Sequence, residues 1–192
     1  LLRAKFNVSF VDRMEAGQKA QAKQLDDLRQ TLIVALPYAF YFSSNAMRVL
    51  FVLPTKSVGG GATSIVEDAY ELHKIGVIVR VAIWKAGLPL FIANFPDAAA
   101  LFFPWDPKNA RPLELFGRMF NVVVATAWIS VAIIKAICNG RPQILPAYYV
   151  QDFEPYFYPP NSSDFANAMQ TYVTMTEIRG LMFAKTRWLT KR

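Results

Sequence analysis

RVLFVLPTKSVGGGATSIVEDAYELHKIGVIVRVAI, residues 48–83, is the stretch that decides the fold of this chain. It opens with an uninterrupted apolar run, Val49–Leu53, which is typical of a strand covered on both faces of a sheet. Three glycines then turn the chain, Ala62–Lys74 shows the apolar spacing of a helix, and Gly76 ends that helix. A second apolar strand is predicted at Val77–Ile83. Two parallel strands joined by a helix form a right-handed unit, so the sequence predicts an α/β protein.

The same alternation continues to the end of the chain. The further predicted elements are a short helix near Leu88–Phe95, a strand near Ala100–Phe103, a helix after the loop Pro104–Pro112, the strand Asn121–Ala125, the helix Trp128–Cys138, the strand Ala147–Gln151, the helix Ser163–Thr176 and the strand Gly180–Lys185. This pattern predicts a Rossmann-like parallel sheet with helices on both faces.

The first 46 residues have a different character. Residues 13–30 are polar and predict a solvated helix, which runs into the apolar segment Thr31–Phe42. We expect residues 1–46 to form a helical extension or linker, which either packs on the main domain or joins a preceding one. Residues 47–192 are then one domain, since 192 residues at 54% hydrophobic can bury one core and a short appendage. The chain starts at leucine and ends in WLTKR, so we expect a fragment of a longer protein.

Composition excludes several classes of site. Cys138 is the only cysteine and His73 the only histidine, so neither a disulfide framework nor a zinc site of cysteines and histidines is available. A reducing compartment, the cytoplasm, is the expected location. The net charge of +7 comes from scattered basic residues, which disfavours nucleic acid and favours weak attraction to anionic lipid or nucleotide phosphates.

Membrane insertion is not expected. The apolar run Thr31–Phe42 spans 12 residues, fewer than the roughly 20 that a spanning helix needs. The longer run Val122–Cys138 is better explained by a strand followed by a helix. Peripheral contact with the inner face of the membrane is the remaining expectation.

The first candidate site is the glycine-rich turn PTKSVGGGATS, Pro54–Ser64. Glycines let backbone N–H groups approach an anion closely, and the following helix N-terminus adds positive potential. The turn matches neither a dinucleotide fingerprint nor a P-loop. A tight turn without a ligand is the alternative.

The second candidate is Thr126-Ala127-Trp128-Ile129-Ser130, which follows a predicted strand. A hydroxyl and an indole at a strand's carboxyl end suit sugar recognition, because sugar rings stack on aromatics and their hydroxyls pair with threonine or serine. The alternative is a helix cap by Thr126, with Trp128 in the core.

The third candidate is AYYVQDFEPYFYP, Ala147–Pro159. Asp152 and Glu154 are two residues apart, so on an extended chain their carboxylates point the same way. One could deprotonate an acceptor hydroxyl while the other orients a sugar, with Glu154 the preferred base. The alternatives are a turn whose aromatics fill the core and whose acids cap the next helix, and hydrolysis by the paired carboxylates.

QDFEPYFYP, with RVLFVLP at Arg48–Pro54 and VGGG at Val58–Gly61, resembles the N-terminal domain of bacterial two-Rossmann-domain glycosyltransferases. This is the GT-B architecture, and the likeness is to its rhamnosyltransferase-like branch. The resemblance covers about Met47 to Arg192. It implies a hexosyltransferase that moves a deoxyhexose, such as rhamnose from dTDP-rhamnose, to a growing polysaccharide or cell-surface glycan. A C-terminal donor-binding domain of the same parent chain is also implied, and without it the fragment would be inactive.

The resemblance also implies roles for the candidate residues. The glycine-rich turn would face the donor diphosphate, and the other two segments would line the cleft beside the glycan acceptor. The residues implied to bind substrate are Gly59, Gly60, Gly61, Thr63, Ser64, Thr126, Trp128, Tyr156 and Tyr158. No metal or cofactor besides the sugar nucleotide is implied, because a DxD-type acidic cluster is missing.

One departure and one alternative remain. Related enzymes carry a histidine in this half of the cleft, whereas His73 is predicted at the end of the first helix. A non-catalytic module that binds a nucleotide or a glycan is the alternative function. A flavodoxin-like regulatory domain is disfavoured, since no acidic cluster follows the first strand.

Overall fold

The computed structural model describes residues 46–184. The strands are β1 (Arg48–Leu53), β2 (Ile78–Trp84), β3 (Phe102–Trp105), β4 (Val122–Ala125), β5 (Leu145–Val150) and β6 (Leu181–Ala184). The α-helices are α1 (Gly60–Lys74), α2 (Leu88–Asn94), α3 (Arg111–Gly117), α4 (Trp128–Cys138) and α5 (Ser163–Glu177). Short 3-10 segments lie at Lys85–Gly87, Pro96–Leu101 and Glu154–Phe157.

The strands form one six-stranded sheet in the order β3-β2-β1-β4-β5-β6, and every pairing is parallel. The predicted Rossmann-like fold is therefore confirmed. The strand order reverses between β1 and β4. The chain adds β2 and β3 on one side of β1, and then β4, β5 and β6 on its other side. Open sheets of this kind bind ligands at that switch point, outside the carboxyl ends of the strands.

Helices cover the sheet on both faces, which explains the uninterrupted apolar strands. Val49, Phe51 and Leu53 of β1 belong to the apolar cluster that also holds Ile65 and Val66 of α1. Because side chains alternate along a strand, the intervening residues of β1 face the other layer, and they too are fully buried. Burial of this kind stabilises a sheet by about 25 cal/mol for each Å² of apolar surface removed from water.

The edge strand β3 begins two residues later than predicted. The chain before it forms the 3-10 segment Pro96–Leu101, which the guanidinium group of Arg80 fastens by donating to the Ala100 carbonyl. Burial lowers the pKa of Arg80 to about 10. Pro104 lies inside β3 rather than in the predicted loop, which an edge strand tolerates because its outer N–H positions need no partner.

Helix boundaries follow local chemistry. The predicted bounds of α4 are correct, but its cap is Ala127 rather than Thr126. The Ser130 hydroxyl closes this first turn, because its oxygen accepts from the Thr126 and Ala127 N–H groups at 3.1 and 3.2 Å. At α5 the predicted serine cap is confirmed, since Ser162 Oγ accepts from the Phe165 N–H at 3.1 Å.

The predicted helical extension, residues 1–46, and the apolar run Thr31–Phe42 lie almost wholly outside the described residues, so these predictions remain open. Within residues 46–184, no helix is long and apolar enough to cross a membrane.

Gly87 provides a test of how tightly the loops at the carboxyl edge pack. An added Cβ at this buried glycine would lie 2.7 Å from the backbone Cα of Lys56, in the loop that follows β1. We expect Gly87→Ala to lower the free energy of unfolding by about 1–3 kcal/mol, because the β1 loop must move. Urea denaturation monitored by circular dichroism measures this change.

Gly60→Ala is the matched control, because a Cβ there meets no atom of residues 46–184 within 4 Å. It should leave the free energy of unfolding unchanged or raise it by about 0.4–1 kcal/mol. Equal stability of the two alanine variants would contradict the packing described here.

Candidate functional site

The three segments singled out in the sequence meet at one edge of the sheet. We define the carboxyl-edge site as Gly59–Ser64 after β1, Thr126–Trp128 after β4 and Gln151–Tyr158 after β5. These three strands are neighbours in the sheet, and β1 and β4 flank its switch point. The fold alone therefore brings the segments together.

Thr126 ties the two strands of the switch point to each other. Its hydroxyl donates to the Val52 carbonyl at 2.9 Å, and the side chain is only 2% exposed. Its own carbonyl accepts from Gln151 Nε2 at 3.1 Å, which extends the link to the end of β5. The structure thus commits the Thr126 hydroxyl to the sheet and not to the crevice. The predicted contact between Thr126 and a sugar remains a prediction, and the Thr126 hydroxyl would have to give up its bond to Val52 to make it.

Gln151 is a site residue that the sequence reasoning missed. A Cβ added at Gly61 would collide with Gln151 Oε1, so the amide of Gln151 packs against the backbone of the glycine-rich turn. Gln151 therefore contacts both neighbouring segments of the site. The sequence did contain a signal for this role, because Gln151 is a polar residue directly before Asp152 in the QDFEP run.

The N-terminus of α1 is open. Its N-cap, Gly59, has no side-chain cap, and the first turn holds no acidic residue. No atom of the described residues lies within 4 Å of a Cβ added at Gly59 or Gly60, while Thr63 and Ser64 are half-buried in the first two turns. The first N–H groups of a helix have no intrahelical partner, and the helix dipole places positive potential there. This terminus can accept an anion.

The carboxylate of Glu154 is buried, and each of its oxygens accepts a hydrogen bond within the protein. Its Oε2 accepts from the Trp128 N–H at 2.8 Å, and its Oε1 accepts from the Tyr148 hydroxyl at 3.0 Å. The residue is 8% exposed. Burial raises the pKa of Glu154 above its ordinary value, and the two hydrogen bonds counteract this only in part. Glu154 thus fixes the β5 loop to the first residue of α4.

Asp152, in contrast, is exposed, and within residues 46–184 its Oδ1 accepts from the Phe153 N–H alone, at 2.7 Å. The expectation that Asp152 and Glu154 present their carboxylates together is therefore wrong. It assumed an extended chain, whereas Glu154 begins a 3-10 turn and Phe153 has φ −81° and ψ 80°. Asp152 is the carboxylate of this pair that a ligand can reach.

Two tyrosines complete the surroundings of Glu154. Tyr148 is fully buried, and its pKa is raised by burial and by the Glu154 charge. The same two causes raise the pKa of Tyr172, in α5, to about 12. Both hydroxyls therefore stay protonated around the carboxylate.

The aromatic residues of the site divide into two groups. Trp128 and Tyr158 are paired, since Trp128 Nε1 donates to the Tyr158 hydroxyl at 3.0 Å and their rings meet edge-on at 6.0 Å. Tyr156 and Phe157 are 64% and 63% exposed. The turn thus presents aromatic surface to solvent, as expected of a docking site.

A groove of about 380 Å³ runs between α4 and α5 beside this turn. Trp128 lies at its end, and Asn167, Gln170 and Thr174 line it from α5. The sequence reasoning missed these α5 residues, because a helix of mixed polarity gives no sign of which polar side chains face a neighbouring helix.

His73 lies in the last turn of α1, at the opposite edge of the sheet from the site. It is thus no candidate base for this crevice. Among the described residues, no group of three or more histidine, cysteine, aspartate or glutamate side chains could hold a metal ion.

No protein-family model matches this sequence, and no curated protein does either. Solved structures with a similar fold include Anabaena Alr3699/HepE in complex with UDP-glucose, at a TM-score of 0.52 and 10% identity. The same protein in complex with UDP and glucose gives a TM-score of 0.51 at 10% identity. Each alignment covers 72% of this chain and 43% of HepE. The chain therefore shares its α/β fold with HepE and spans less than half of that protein's length.

Removal of the Glu154 side chain tests its role in the site. We expect Glu154→Ala to lower the free energy of unfolding by about 2–4 kcal/mol, because the Trp128 N–H and Tyr148 hydroxyl lose their acceptor inside the protein. Asp152→Ala, the matched control, should change it by less than about 0.5 kcal/mol, since that carboxylate is exposed. Chemical denaturation of both variants at neutral pH measures these changes. Equal losses of stability in the two variants would refute the structural role of Glu154.

The raised pKa of Glu154 predicts a pH dependence. Between the ordinary carboxyl value of 4.5 and the raised folded-state pKa, the folded protein holds this proton more tightly than the unfolded chain. The part of the stability that comes from this bound proton is therefore fully present below the ordinary pKa and is lost as pH rises through the folded pKa. Glu154→Gln cannot titrate, so the stability of the wild type relative to this variant should fall as pH rises. Denaturation of both proteins from acidic to neutral pH measures their free energies of unfolding. A wild type that becomes more stable relative to Glu154→Gln as pH rises would contradict the raised pKa.

Proposed function

We propose that this chain is the acceptor-side Rossmann-like domain of a glycosyltransferase that uses a nucleotide sugar. The observation that carries the proposal is the open N-terminus of α1 at the switch point, which Gln151 connects to a loop with an exposed carboxylate. Such a transferase needs both features, one for the negative donor and one for the proton of the acceptor hydroxyl. The shared fold with HepE, a protein solved with UDP-glucose, supports the same proposal.

In this proposal the donor diphosphate faces the first turn of α1. Backbone N–H groups of Gly60 and Gly61 donate to its oxygens, and the hydroxyls of Thr63 and Ser64 lie in the same two turns. No acidic side chain in that turn repels the diphosphate. Backbone donors fixed by a helix need no rearrangement when the anion arrives.

Asp152 is then the candidate base, and Glu154 is a positioning residue. The Asp152 carboxylate takes the proton of an acceptor hydroxyl, whose oxygen bonds to the anomeric carbon of the donor as the nucleoside diphosphate leaves. Glu154 was the preferred base from sequence, but both of its oxygens already accept hydrogen bonds within the protein. Trp128, Tyr156 and Tyr158 supply the aromatic surface on which sugar rings stack.

The finer parts of the proposal rest on the resemblance of the QDFEPYFYP run to its family. They are a GT-B enzyme of the bacterial rhamnosyltransferase-like branch, a deoxyhexose such as rhamnose from dTDP-rhamnose, and a polysaccharide or cell-surface glycan as acceptor. A second Rossmann domain of the parent chain would hold most of the donor, so the fragment alone would be inactive. We place the enzyme in the cytoplasm, at the inner face of the membrane.

A non-catalytic glycan- or nucleotide-binding module is the second candidate. The groove between α4 and α5 favours it, because an indole with amide and hydroxyl side chains along a helix is a surface that sugars bind without chemistry. The commitment of Glu154 to internal hydrogen bonds also favours it.

A change of charge at the N-terminus of α1 tests whether the donor diphosphate binds there. Gly60→Asp places a carboxylate in open space at the first helical residue, where it suits the helix but repels a diphosphate. We expect UDP-glucose and dTDP-rhamnose, titrated by calorimetry, to bind this variant about tenfold or more weakly than the wild type. Gly60→Asn, of the same size without the charge, should bind almost as the wild type does.

Equal binding by the aspartate and asparagine variants would show that the diphosphate does not bind at the N-terminus of α1, and would refute the proposal. In a parent chain that also carries the second domain, Asp152→Asn should abolish sugar transfer while donor binding persists. Binding of sugars without any transfer by that parent chain would instead select the non-catalytic module.

A further inference from the structure

The amino edge of the sheet, opposite the candidate site, has its own chemistry. We define the basic patch as Lys135, Arg141 and Arg179 with the apolar residues Leu145 and Leu181. Lys135 is in the last turn of α4, Arg141 precedes β5, and Arg179 lies between α5 and β6. All five residues therefore lie where helices end and β5 and β6 begin.

A groove of about 870 Å³ lies within this patch. The three basic residues line it together with Leu145. The other described residues of its wall are aliphatic, proline, small or uncharged polar residues, and none of them is aromatic. Leu145 and Leu181 are 43% and 53% exposed, although both begin strands of the sheet. Cationic and exposed aliphatic groups thus share one surface.

The charges of this surface are only partly neutralised from within. Lys135 Nζ lies 3.9 Å from a carboxylate oxygen of Glu177, and because both side chains are exposed this ion pair is weak. Arg141 donates to the Asn139 carbonyl at 2.8 Å. Arg179 is exposed and has a positive φ of 53°. Among the described residues that line the groove, none is acidic.

We propose that the basic patch docks on the surface of a membrane that contains anionic phospholipid, with headgroup phosphate in the groove. Lysine and arginine side chains near an anionic leaflet are each attracted to it, and exposed leucines insert at the headgroup boundary. Nucleic acid fits less well, because the groove offers no aromatic platform for bases and places leucines beside the cations. The proposal does not depend on the proposed transferase chemistry, since the candidate site lies at the other edge of the sheet.

Co-sedimentation with lipid vesicles tests the proposal. The wild-type chain should bind vesicles of phosphatidylcholine mixed with phosphatidylglycerol, should not bind phosphatidylcholine alone, and should lose binding as salt rises. Arg141→Glu with Arg179→Glu should lower the partition coefficient by about thirtyfold or more, from the loss of two cations. Lys85→Glu with Lys108→Glu, the matched control, makes the same change of net charge at the carboxyl edge, where both lysines are exposed. This control should keep its binding.

Loss of folding is a separate matter and is checked by circular dichroism. Arg141→Gln with Arg179→Asn is a milder second variant, because asparagine tolerates the positive φ of residue 179. It should also lose vesicle binding. Absence of binding to the anionic vesicles, equal losses in the patch and control variants, or unchanged binding by both patch variants would overturn the proposal. Tighter binding to a double-stranded oligonucleotide than to the anionic vesicles, abolished by the same variants, would assign the patch to nucleic acid instead.

Discussion

The buried carboxylate of Glu154 is the interaction on which the candidate site depends. It joins its own 3-10 turn to the β5 strand through Tyr148, six residues earlier, and to the first turn of α4 through Trp128, 26 residues earlier. A buried charge is tolerated only when it is paired or hydrogen-bonded. Here the Tyr148 hydroxyl and the Trp128 N–H, at the N-terminus of α4, both donate to it. Because this carboxylate faces inward, the turn that follows presents Tyr156 and Phe157 outward. The same constraint leaves Asp152 as the exposed carboxylate of the pair.

The fold could be predicted from the sequence because each of its elements has a local signal. A strand of a parallel sheet is apolar without interruption, as Val49–Leu53 shows, and α4 is bounded by a strand end and by Asn139-Gly140. The 3-10 segments at Pro96–Leu101 and Glu154–Phe157 were missed, since a short turn with a proline near its start reads as a loop. That second miss produced the error at the acidic pair. Two residues of separation predict a shared face only where the backbone is extended, and Glu154 leaves the extended region.

The position of the site was predictable, but the roles within it were less so. Parallel strands bring the segments after β1, β4 and β5 to one edge whatever their side chains do. Which polar groups then face inward depends on partners far along the chain, such as Val52 for Thr126, 74 residues away. Gln151 illustrates the same limit, because its contact with Gly61 explains why that glycine has no side chain. A sequence pattern identifies the glycine, and only the packed sheet supplies the reason.

The two edges of the sheet owe their different chemistry to the direction of the helices. Every crossover helix in a parallel sheet begins at the carboxyl edge, so that edge collects helix N-termini with free N–H groups, and the amino edge collects C-termini with free carbonyls. Lys74 and Lys135 at helix ends are explained by this alone, since cations stabilise a C-terminus. Arg179 also belongs to a helix end, because the N–H groups of Arg179 and Gly180 donate to the Thr176 and Met175 carbonyls, which close α5 in a Schellman motif and account for the positive φ. Its side chain, however, lines a groove beside exposed leucines. Helix capping explains this backbone, but it does not require Arg141 and Arg179 to line one groove whose described lining holds no acidic residue, and this arrangement supports the proposed docking on an anionic surface.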